Sequence, residues 1–94
     1  MGMKREQGET IALQALAWLA SNEELMPIFM GSTGVSVDDV KNQAGQPEFL
    51  LSVLEFITMD DKWIVDCCDA LNVPYTTLME ARAALPGGQH MHWT

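Results

Sequence analysis

Basic residues are scarce in this 94-residue chain: five Lys and Arg stand against thirteen Asp and Glu, a formal net charge of −8. That balance repels nucleic-acid phosphate and anionic lipid at long range and favours basic or apolar partners. The acids are scattered from Glu6 to Glu80 rather than gathered into a long block, which is the pattern of a solvated surface. Cysteine is limited to the adjacent pair Cys67 and Cys68, too close to staple a disulfide framework; a reducing compartment is expected. Long hydrophobic runs are missing too. The stretches 11–20 and 49–57 are about half of what a bilayer span needs, so no membrane association is expected. The opening Met1-Gly2-Met3-Lys4-Arg5-Glu6 is polar where a secretory leader would turn apolar, and a cytoplasmic protein is the expectation. No Ser-His-Asp set, P-loop or Gly-X-Gly-X-X-Gly occurs. Neither an enzyme nor a cofactor is expected.

What is present is apolar residues, 48% of the chain, and helix punctuation. No segment alternates as a half-buried strand does, so the chain predicts an all-α, single-domain bundle of five to six short helices spanning 1–94, with tails at 1–5 and 88–94. The first helix, 6–20, is apolar nearly all round, as a helix at the centre of a bundle is. Asn22 caps the second. Pro27 leaves two readings there: the helix begins at that proline, or its first turn is distorted. Gly34 is a left-handed terminator. Ser36 with Asp39 forms a capping box for the third helix, and Gly45 ends it. Pro47 opens the fourth, 48–59, as a residue whose missing N–H costs nothing at a first helical position. Asp60 or Asp61 caps the fifth, which Asn72 and Pro74 break. The sixth spans 76–85 and stops at Pro86-Gly87-Gly88.

Four features carry the functional reading. Residues 64–85 scan as a helix-turn-helix-like pair, with Cys68 small where the helices approach and Leu78 and Ala81 facing the core. As a DNA reader the second helix would offer Thr76, Thr77, Glu80 and Arg82, one arginine beside a glutamate, which is poor equipment for a groove. Such pairs also serve as plain structure. Cys67 and Cys68 with His90 and His92 are zinc- or copper-ligand types. Neighbouring helical cysteines point about 100° apart, which favours one in the core and one half-buried over a shared ion. Asp38-Asp39 and Asp60-Asp61 stand at helix starts, where carboxylates cap free N–H groups. Finally, Met26, Met30, Met59, Met79 and Met91 exceed what so small a core hides, and methionine suits adaptable contact surfaces.

Leu16-Ala17-Trp18-Leu19-Ala20, Phe49-Leu50-Leu51-Ser52-Val53-Leu54-Glu55-Phe56 and the ending Ala81-Arg82-Ala83-Ala84-Leu85-Pro86-Gly87-Gly88, followed by His92-Trp93, carry a family resemblance. In this order the chain resembles the small alphaproteobacterial family catalogued as domain of unknown function 3572. The resemblance implies a cytoplasmic helical protein and supplies neither an activity nor site residues. Together these readings predict an interaction or accessory module that binds another protein or itself, as a homodimer, through Trp63, Met79, Arg82 and Trp93. The alternatives are a helix-turn-helix nucleic-acid regulator and, after it, a metal-binding protein. The signature ending also implies a tail that docks, with Trp93 on the bundle and Arg82 paired to an acid. Docking predicts that Trp93→Ala lowers the melting temperature; an unchanged melting temperature removes it.

Overall fold

Local turn chemistry delimits six helices over residues 3–86, which the computed structural model describes: α1 (Arg5–Ala20), α2 (Leu25–Thr33), α3 (Val37–Gln43), α4 (Pro47–Ile57), α5 (Asp61–Leu71) and α6 (Thr77–Ala84). α1 starts one residue earlier than its apolar pattern predicts, because the Lys4 N–H donates to Gln7 Oε1 at 3.1 Å. Met3, just before α1, packs against the core. Asn22 Oδ1 accepts from the backbone N–H groups of Glu24 and Leu25, both at 3.0 Å. Pro27 is therefore the third residue of α2, inside the first turn, where no intrahelical donor is needed. The helix neither begins at that proline nor breaks there.

The later boundaries follow the same logic. Gly34 ends α2 at φ 78°, its N–H on the Met30 carbonyl at 2.8 Å. Ser36 and Asp39 exchange the two bonds of a capping box, Asp39 N–H to Ser36 Oγ at 3.2 Å and Ser36 N–H to Asp39 Oδ2 at 3.0 Å. Pro47 is the first residue of α4. Asp60 Oδ1 accepts from Lys62 N–H at 2.8 Å to open α5. Asn72 closes α5 in the left-handed region at φ 61°, and Val73 N–H reaches the Cys68 carbonyl at 3.0 Å. That six-to-one bond, with Asn72 N–H on Asp69 at 3.2 Å, is a Schellman ending.

α1 is the hub: it packs against α2, α4, α5 and α6. Its inner face, Gly8, Ala12, Ala15, Leu16 and Leu19, is buried. Opposite lie Leu50, Val53, Leu54 and Ile57 of α4, Cys67 and Cys68 of α5, and Leu78, Ala81 and Leu85 at α6. A second cluster of rings ties α2 to α4 and α5. Phe29 meets Phe49 and Phe56 edge-on, at centroid distances of 6.0 and 5.3 Å, and Phe56 stacks on Trp63 at 4.9 Å. Such pairs add about 0.5–1.5 kcal/mol each beyond burial. Among the described residues no strand occurs, and no helix is long and apolar enough to cross a membrane.

α1 and α6 approach closely at Gly8. A Cβ there would stand 3.0 Å from the Ala81 carbonyl oxygen and 3.0 Å from the Ala84 Cβ. Both neighbours belong to α6 backbone or to atoms fixed to it, so relief requires moving a helix rather than rotating a side chain. Gly8→Ala is therefore predicted to destabilise the fold by about 1–2 kcal/mol, the overpacking cost exceeding the gain of about 1 kcal/mol in helix propensity. Urea denaturation checks this; a variant as stable as the parent would show that α6 yields freely.

Candidate functional site

Two uncovered regions merit a chemical reading, and the first is the surface expected from the sequence. On α6, Met79 and Arg82 lie about one turn apart; Met79 is exposed and Arg82 half-buried. The Arg82 Nη2 stands 4.0 Å from Glu55 Oε2, which links α6 to α4. At that distance, with both groups partly solvated, the pair contributes well under about 1 kcal/mol. Arg82 Nε is buried and has no hydrogen-bond partner among the described residues. Trp63 belongs to the ring stack on Phe56. Met59, just beyond α4, is the most exposed large apolar residue among those described, at 76%. Trp93 lies outside the described residues, as do Met91, His90 and His92.

Two expectations for the α5–α6 pair need correction. Thr77, expected to point outward, is buried, because the first turn of α6 settles against the core beside Leu78. The outward side of α6 is then Thr76, Met79, Glu80 and Ala83. Cys67 and Cys68 are both fully buried, where one was expected to be half-buried. α5 is held by α1, α4 and α6 together, so its inner face is wide enough to bury adjacent positions. Both thiols are free. Burial pushes Cys67 up to about 12, with neighbouring Cys68 adding to the rise. Burial raises Cys68 too, against a backbone hydrogen bond from Leu78 that lowers it. Thiols held protonated in this way are poor nucleophiles and poor ligands. Among the described residues no three His, Cys, Asp or Glu side chains gather to hold a metal ion.

The second region was not foreseen. α1 is apolar nearly all round, yet its neighbours cover only one side. Leu13, Ala17 and Ala20 remain exposed, a stripe at i, i+4 and i+7 that shares one helical face. Along one edge this stripe drops into an open groove of about 500 Å³ lined by Gln14, Ala17, Trp18 and Ser21 of α1 and by Ala70 and Leu71 of α5. The signal was present in the sequence: a helix with more apolar circumference than a four-neighbour packing can cover.

The described residues define a single-domain, all-α bundle assembled around one central helix, with an uncovered face and groove on that helix. The chain belongs to the family described as protein of unknown function (DUF3572), whose model matches residues 5–88. No curated protein and no solved structure matches it.

Two predictions arise from the buried polar groups. Unfolded thiols ionise near about 8.5, below the folded value of about 12 for Cys67. Above pH 8.5 the unfolded chain thus sheds the proton first, and stability present below that pH is lost as pH rises toward 12. Denaturation at pH 8 and 10.5 is expected to show this fall, and to show it less steeply in Cys67→Ala; identical slopes would contradict the assignment. Arg82→Met keeps the stem's packing and removes an unsatisfied donor, so it is predicted to hold or raise the melting temperature, by up to about 1–2 kcal/mol equivalent. A fall would mean that Nε finds a partner in solution or that the Glu55 pair outweighs its burial.

Proposed function

We propose that the protein is a small accessory module that works by binding another protein. The observation that carries this reading is the bare stripe on α1. The helix around which every neighbour packs leaves Leu13 45% exposed, with Ala17 and Ala20 beside it. Contiguous apolar surface left bare on a small acidic protein marks a contact site. Ile28, Val37, Met59 and Met79 are further exposed apolar residues and supply adaptable area. Nucleic-acid binding draws less support: the outward residues of α6 are Thr76, Met79, Glu80 and Ala83, and the one arginine of that helix leans toward Glu55. Chemistry at the cysteines draws little either, since both thiols are buried and protonated.

The test is affinity purification of the tagged full chain from its native host at moderate salt, with the parent compared with Leu13→Asp and Met79→Asp. The reading predicts a reproducible protein partner lost in at least one variant that retains the parent's circular dichroism. Identical captured sets for all three proteins, or none, would contradict it.

A further inference from the structure

We infer that the α1–α5 groove and the adjoining stripe of α1 take a basic amphipathic helix of a partner protein, an assignment that rests on the interaction reading above. Shape comes first. Ala17, Ala20, Ser21 and Ala70 are small and exposed, so a partner backbone can come close along α1 while larger apolar side chains enter against Trp18 and Leu71. Anchors at i, i+3, i+4 and i+7 on a guest helix would match a stripe with that same repeat. Both groove walls are helices of 11 or more residues, which suits a guest that is itself several turns long.

Charge then decides among occupants. Asp66 stands one turn before Ala70 on α5, and Asp69 is its immediate neighbour. Glu23 and Glu24 follow Ser21 at the end of α1, and Glu6 opens α1 two turns before Leu13; all five acids are exposed. Among them Asp66 is paired to Lys62 at 3.1 Å and Asp69 accepts from the Tyr75 hydroxyl at 2.8 Å, while Arg5 beside Glu6 is paired to Glu9 at 3.2 Å. A second copy of this chain would bring the same acids and a second net charge of −8 against them, which disfavours a homodimer across this face. The tail 87–94 carries no Lys or Arg to answer the acids. A lysine- or arginine-bearing helix both fills the groove and complements its rim.

The experiment titrates the 15N-labelled full chain with two synthetic amphipathic helices of about five turns, one of Leu, Ala and Lys and one with Glu in place of every Lys. Two charge-matched variants locate the binding: Ala17→Arg in the groove, and Val37→Arg on the distant, exposed start of α3. The lysine peptide is expected to shift the amides of Gln14, Ala17, Trp18, Ser21, Ala70 and Leu71 with clear salt dependence, and the glutamate peptide to leave them unmoved. Ala17→Arg is expected to weaken binding about tenfold or more, the loss of a central contact, while Val37→Arg changes it by less than about twofold, as a distant rim charge does. Shifts elsewhere, equal loss in both variants, equal binding of both peptides, or no binding overturns the assignment. So does a shift of the same amides on removing residues 88–94, which would make the tail the occupant. A native partner captured equally well by Ala17→Arg overturns the groove while leaving the interaction reading intact; no partner and no peptide binding overturns both.

Discussion

Everything else in this fold depends on how closely α6 lies against α1. Gly8 lets the Ala81 carbonyl and the Ala84 methyl come so close that a Cβ there would stand 3.0 Å from each and force α6 to give way. The contact draws α6 inward far enough to bury Leu78, Ala81 and Leu85 completely. It also carries the preceding turn, where Asn72 in the left-handed region and the Tyr75 hydroxyl on Asp69 Oδ1 at 2.8 Å hold the end of α5 in place. α5 is then wedged between α1 and α6, and both of its cysteines go under. In a domain this small, where net stability is about 0.05–0.15 kcal/mol per residue, one crossing of this kind weighs heavily.

The same crossing explains why α1 is half bare. α4, α5 and α6 all gather on the Gly8–Ala12–Ala15–Leu19 side, and α2 touches its far end. Nothing among the described residues reaches Leu13 or Ala17 from the other side. Placing small residues outward as well as inward keeps α1 a strong helix former on all faces. Uncovered apolar surface on the central helix of an acidic protein is a cost in solubility, which the proposed partner would offset by covering it.

Local chemistry was legible in the sequence, and packing was not. Ser36 with Asp39, Pro47, Asp60, Gly34 and Asn72 act on atoms within a few residues of themselves, so helix order, and a count of five to six, could be read from them. Ends drifted by a residue or two where they rest on frayed turns: α4 stops at Ile57 rather than Met59, and α6 starts at Thr77 rather than Thr76. The direction of Thr77 and the burial of the second cysteine depend on the angle at which α6 meets α1, which spacing along the chain does not encode. Of the candidate surface, Met79 was singled out by the surplus of methionines rather than by its position on α6, and it is exposed. The half-buried state of Arg82 and the ring stack that holds Trp63 required the neighbours. The groove was the least legible, because it is defined by what fails to cover α1.

The outer stripe of α1 is bare in the isolated protein and, as proposed, covered by a partner at work. Labelling of a Leu13→Cys variant with a water-soluble maleimide tests it most directly, since the native thiols are buried. The account predicts rapid labelling of the purified protein and protection of the same thiol in extract of the native host. Slow labelling of the purified protein would show that the stripe is already covered, and equal rates in both settings would show that nothing binds it.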